Sequence, residues 1–224
     1  MDWFPLINSL RIAALATAAV FLLGIWLAGA VAKLPRAWKA LVDVVLTLPL
    51  VLPPTVVGFL LLMVLGPRRP LGAWALEVFG VRLTMVWYAA VFASVVVAFP
   101  LMYRTARGAF EGFDEDLADA ARTLGKGEVW IFWRVKLPSC RTSIIAGAVL
   151  AFARALGEYG ATSRVAGYTP GVTATVSTTV YQLWQIGNDA LALRWVLVNI
   201  AISAVALFVL NWLEGRDREG RRRR

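Results

Sequence analysis

Long uncharged stretches alternate with short clusters of charge along this chain, and the lengths of the stretches define its elements. Residues 12–32 form a run of 21 without charge, bounded by Arg11 and Lys33. At 1.5 Å per residue such a run makes about 31 Å of helix, enough to cross a bilayer. It is expected to be retained as a span: it is longer than a signal-peptide core, Asp2 stands beside Arg11 in the flank before it, and Lys33 to Lys39 looks like a cytoplasmic anchor. Residues 44–67 are also uncharged but contain Pro49, Pro53, Pro54 and Gly58, which predicts a kinked or broken span. Residues 83–103, with Pro100 near the end, predict a third span. Residues 142–163 predict a fourth despite Arg154 and Glu158, and 195–213 a fifth. Residues 165–188 lack charge as well, yet Pro170 and the hydroxyl and amide side chains from Thr169 to Asn188 make crossing lipid costly. They predict an extramembrane or re-entrant segment packed against protein.

Composition agrees with this pattern. Of the 224 residues 59% are hydrophobic and 17% charged, the balance of an all-α polytopic membrane protein rather than a soluble domain. There is no histidine and a single cysteine, Cys140, so neither a transition-metal site nor a disulfide within the chain is expected. The net charge of +9 would suggest nucleic acid in a soluble protein; here its distribution gives the orientation. Sixteen of the 23 basic residues fall between spans one and two, between spans three and four, or after span five. Basic residues concentrate on the cytoplasmic side, which puts the N-terminus outside, and the 104–141 loop and the C-terminus inside. Residues 1–215 then form one transmembrane domain, followed by a basic tail, 216–224, whose Arg221 to Arg224 suit anionic lipid. No internal repeat is visible, which argues against fused inverted halves.

The 104–141 loop has its own pattern. Asp114 can cap a helix whose first turn is acidic and which Gly125 stops. Leu117, Ala120, Ala121 and Leu124 share one side at helical spacing, and two alanines there allow another backbone to come close. A second short helix is expected over 128–135, ending before Leu137-Pro138. Periodicity alone leaves two readings open, a surface helix lying on the membrane and a docking helix for another subunit.

The spacing Asp119-Ala120-Ala121, three residues, Gly125, nine residues, Val135, one residue, Leu137-Pro138 resembles the EAA loop of bacterial ABC importer permeases, with Asp and Val standing for the family's Glu and Ile. Leu48 to Gly58 is similar to the second span of ModB-type molybdate permeases, and Phe152 to Ala161 to a segment shared by molybdate and sulfate permeases. The resemblance covers nearly the whole chain. It implies a type I importer permease fold of about five helices in the bacterial inner membrane, importing molybdate by ATP-driven alternating access, with sulfate, thiosulfate or tungstate as the alternative. It also implies the partners: a second copy of the permease, two cytoplasmic ATPase subunits, a periplasmic molybdate-binding protein and membrane lipid.

On that resemblance Asp119, Ala120, Ala121, Gly125, Val135, Leu137 and Pro138 are the ATPase-coupling residues, with close docking at the small residues and a polar contact from Asp119. Pro53, Pro54, Thr55, Arg154 and Glu158 are candidate pathway residues. Arg154 and Glu158, four apart, can pair across one helix turn. Arg154 is read either as positive potential along an anion route or as half of a structural ion pair. The threonines from 173 to 179 offer hydroxyl donors to an oxyanion or simply form the outer surface. No phosphate-binding G-x-x-x-x-G-K-[ST] is present, so ATP and magnesium belong to a separate subunit and the chain itself needs no cofactor. No catalytic constellation stands near either interface, so an enzyme is not expected, and a passive scaffold would leave the loop spacing unexplained.

Overall fold

The computed structural model describes residues 2–32 and 34–222, without the side chains of 210 and 213–222. The described residues fold as helices: α1 (Phe4–Ala32), α2 (Arg36–Val51), α3 (Pro54–Leu65), α4 (Pro70–Phe79), α5 (Trp87–Glu111), α6 (Glu115–Thr123), α7 (Glu128–Ile131), a π turn (Phe132–Lys136), α8 (Leu137–Ser139), α9 (Arg141–Leu156), α10 (Gly160–Val165), α11 (Val176–Gln185) and α12 (Asp189–Arg222). Among the described residues three stretches are long and apolar enough to cross a membrane: α1, α5, and α12 as far as Val209. Two bent pairs bring the total to five if each counts as one span: α2 with α3, bent by 113°, and the 128–139 segment with α9, bent by 72°.

Several boundaries differ from the sequence expectation. Span one begins at Phe4, and Arg11 lies inside the helix rather than at its edge, because its guanidinium finds the face of Trp87 at 3.4 Å. Span three continues past Tyr103 to Glu111, where Arg107 and Glu111 form an i,i+4 pair at 2.9 Å. Span four is not continuous over 142–163: α9 ends at Leu156, and the chain re-enters a short helix only at Gly160. In the loop, the second helix does not stop before Pro138. A π turn, closed by Leu137 N–H donating to the carbonyl of Phe132, carries the chain into α8, and the wider turn accommodates the proline ring. Helix α12 runs on to Arg222, into the basic 216–224 segment; Arg223 and Arg224, like Lys33, lie outside the described residues.

The core forms where α1, α5 and α9 pack together. Ala13, Ala16, Ala28, Ala98, Ala106 and Ala151 have no exposed surface there. Small side chains let helix backbones approach closely, which matters in lipid because dispersion contacts rather than water exclusion hold helices together. By contrast α2 has no fully buried residue: Val42 and Leu46 pack half-buried against the core, and a ladder of charged and polar contacts joins the helix to α5. Lys39 and Asp43, four apart on α2, face Tyr103, Arg107 and Glu111, four apart on α5. Lys39 Nζ donates to Glu111 Oε1 at 2.6 Å, Arg107 pairs with both Glu111 and Asp43, and the Tyr103 hydroxyl donates to Asp43.

The 165–188 segment packs against protein, as expected. Asn8 Nδ2 donates to the carbonyl of Ala174 at 2.9 Å, and Val176 N–H donates to Ser9 Oγ at 2.8 Å, tying the start of α11 to the outer end of α1.

Candidate functional site

In the cytoplasmic loop, α6 is a nine-residue helix with defined ends. Asp114 caps it by accepting from Asp116 N–H at 3.1 Å. At the other end, Lys126 N–H donates to the carbonyl of Ala121 (3.2 Å) and Gly125 N–H to that of Arg122 (2.9 Å), a Schellman motif with Gly125 at φ +73°. Nothing lies within 4 Å of where a Cβ on Gly125 would be. The glycine is therefore required by the backbone turn, as expected of the residue that stops this helix.

The predicted apolar stripe divides between two faces. Ala118 and Ala121 are buried in the main core with Phe110, Phe113 and Ile131. Leu117 (50% exposed), Ala120 and Leu124 (75% exposed) lie on the outer side. Ala121 thus holds α6 to its own chain, and Ala120 is the small residue open to a partner. Val135 and Leu137 are half-buried against the same core, whereas Pro138 is exposed. Asp119 is exposed but engaged: it pairs with Arg122, whose Nε and second terminal nitrogen donate to Glu128 at 2.7 and 3.2 Å. Held first by Glu128 and then by Asp119, the Arg122 guanidinium is pushed above its ordinary pKa. Arg122 clamps α6 to α7, and it was not among the residues singled out from the sequence; its signal was an arginine between acids three before and six after. Lys136 Nζ donates to Glu115 Oε1 at 2.9 Å and ties the start of α6 to the π turn. Phe110 and Phe132 meet edge to face at 5.6 Å, so the loop is joined to α5 by packed rings.

The five candidate pathway residues lie where two broken segments meet. Pro53 ends the break after α2 and caps α3, Pro54 is the first residue of α3, and both Pro53 and Thr55 are exposed. A Cβ on Gly160 would come within 2.8 Å of Pro54 Cβ, and one on Gly58 within 2.8 Å of Ala161 Cα. The starts of α3 and α10 are therefore in backbone contact that only glycine permits. Glu158 is buried beside this contact; its Oε1 accepts from Ala161 N–H at 2.7 Å and its Oε2 lies 2.8 Å from Arg154. The expected pair forms, although Glu158 stands beyond the end of α9 rather than one turn along it. The charge of Arg154 is thus matched by Glu158, and its side chain stays partly exposed. Three of the threonine hydroxyls are turned to local bonds: Thr173 Oγ1 accepts from Thr169 N–H, and Thr175 and Thr178 form a reciprocal capping box for α11, whereas Thr179 Oγ1 is buried without a hydrogen-bond partner.

The comparisons with known proteins agree with this geometry. Two permeases described as the molybdenum transport system permease protein ModB are similar along most of their length. The one from Escherichia coli K12 is 41% identical over 223 residues, covering 98% of this chain and 97% of its own. The one from Haemophilus influenzae is 37% identical over 195 residues, covering 87% and 85%. Among solved structures, the inward-facing methionine ABC transporter MetNI superposes with a TM-score of 0.72 at 15% identity, covering 95% of this chain and 97% of that one. A bacterial ABC transporter that imports alginate superposes at 0.71 and 19% identity, covering 96% and 78%. The fold is that of a type I ABC importer permease. With the matched segment running from residue 20 to 218, this chain belongs to the family of binding-protein-dependent transport system inner membrane components.

Proposed function

We propose that the chain is the permease of a molybdate importer, working as two copies on two cytoplasmic ATPase subunits that bind ATP and magnesium, and loaded by a periplasmic molybdate-binding protein. The observation that carries the reading is similarity to molybdenum permeases over almost the full length of both chains. The exposed row of Leu117, Ala120 and Leu124 is the docking face for the ATPase. Displacement of α6 passes through buried Ala118 and Ala121 to Ile131 and the Phe110–Phe132 contact, and so into α5. A packed interface of this kind moves as a body between discrete arrangements instead of deforming smoothly. The crossing of α3 and α10 is where such movement meets the membrane interior, and Pro53, Pro54 and Thr55 border the route there.

The test is uptake of labelled molybdate by cells whose only permease is this chain, with its neighbouring subunits and an excess of sulfate or tungstate as competitor. Uptake that needs ATP and withstands sulfate is expected. Sulfate uptake with molybdate excluded would overturn the substrate, and uptake without an ATPase would overturn the mechanism.

A further inference from the structure

A cavity of about 990 Å³ opens between the cytoplasmic half of α1, the end of α5 and the coupling loop, and it has one apolar wall and one charged rim. The wall runs along α1 from Phe21 to Ala32, with Leu22 and Trp26 about two-thirds exposed. That length of helix spans about 16 Å, the depth of hydrocarbon in one leaflet. Gly29 and Ala30 give the wall little bulk at its cytoplasmic end. The rim consists of three ion pairs: Lys39 with Glu111 at 2.6 Å, Lys136 with Glu115 at 2.9 Å, and Arg122 with Glu128 at 2.7 Å. Its charges sum to zero, and Trp133 lines the mouth, 59% exposed, as an interfacial tryptophan does.

We propose that this cavity binds one phospholipid of the cytoplasmic leaflet with a zwitterionic, primary-amine head group, its chain along α1 and its head group among the ion pairs. Charge complementarity selects this occupant. A lysine ammonium has three donors, so Lys39 and Lys136 have capacity for a phosphate beyond their carboxylates, and carboxylate oxygens accept more than one bond from an ammonium. A zwitterion satisfies both without adding net charge. An anionic lipid would bring an unmatched negative charge beside three carboxylates, and a quaternary amine has no N–H to donate. The lipid would then touch both α1 and the element that drives it, so the site would tie coupling to the inner leaflet. The inference does not depend on which oxyanion is carried.

The experiment is native mass spectrometry of the full-length chain with whatever subunits accompany it, released from nanodiscs of phosphatidylethanolamine, phosphatidylcholine and phosphatidylglycerol in equal parts. One phosphatidylethanolamine per chain is expected, preferred over either other lipid by about tenfold, the effect of one charge-assisted hydrogen bond. Ala30→Phe, which fills the wall, should lower retention about tenfold. The double variant Glu115→Gln/Lys136→Gln keeps the wall and should lose the head-group preference while still retaining lipid, so the proposal remains testable if Ala30→Phe fails to fold. Wild-type protein without bound lipid, equal retention of the three lipids, retention only after accompanying subunits are stripped away, or an unchanged preference in the double variant would each overturn it.

Discussion

Gly125 sits at φ +73° with empty space around its missing side chain, so replacing it should act through the backbone alone. A left-handed conformation costs an ordinary L-residue about 1–2 kcal/mol, while asparagine adopts it more readily. Gly125→Ala is therefore expected to weaken the end of α6 by about 1 kcal/mol, Gly125→Val by about 2 kcal/mol, and Gly125→Asn by less than either. These costs change the population of the intact turn roughly five-fold and thirty-fold for alanine and valine. Since α6 has nine residues, losing its last turn moves Leu124 and releases the clamp that Arg122 makes to Glu128. Molybdate uptake relative to ATP hydrolysis, measured in proteoliposomes at matched protein content, should fall in the order Gly, Asn, Ala, Val. Hydrogen exchange at the Gly125 and Lys126 amides, whose bonds close the motif, should quicken in the same order. If the glycine only made room for an ATPase, side-chain size would decide and alanine would outperform asparagine; that order would refute the backbone argument.

Three further outcomes follow from the packing. Leu124→Glu should reduce co-purification of the ATPase at an unchanged melting temperature, whereas Ala121→Leu, which overpacks a buried position by about 1–3 kcal/mol, should lower the melting temperature itself; the reverse pattern would exchange the two faces of α6. Glu158→Gln should destabilise by about 2 kcal/mol, less than a fully buried pair because Arg154 is partly exposed, and Arg154→Gln/Glu158→Gln should recover most of the loss in thermal melting. Asp43→Ala should raise hydrogen exchange across α2, since the loss of the contacts to Arg107 and Tyr103 leaves that helix only the Lys39–Glu111 bond and the half-buried Val42 and Leu46 to hold it; unchanged protection would mean that Asp43 does not anchor it.

The apolar runs, the side on which basic residues gather, and the Asp114 cap and Gly125 stop of the coupling helix were legible in the sequence alone. Each depends on neighbours a few residues apart, and chain length against bilayer thickness decides the spans almost independently of packing. The prolines likewise announced a break between α2 and α3, because a missing N–H is a local property. What could not be read was which alanine of α6 faces inward. Leu117, Ala118, Ala120, Ala121 and Leu124 present apolar surface on more than one side, and only the contact with Ile131 and Phe113 distinguishes Ala118 and Ala121 from Ala120. The end of span four at Leu156 was hidden for a similar reason: 142–163 is apolar enough to continue as helix, and the break follows from α10 lying against α3, where Gly58 and Gly160 admit backbone contact. The ladder between α2 and α5 joins residues some sixty positions apart. Sorting charges by side of the membrane placed Lys39 and Arg107 together in the cytoplasm, but pairing requires two helices at a particular distance and rotation, which tertiary packing supplies and local sequence does not encode.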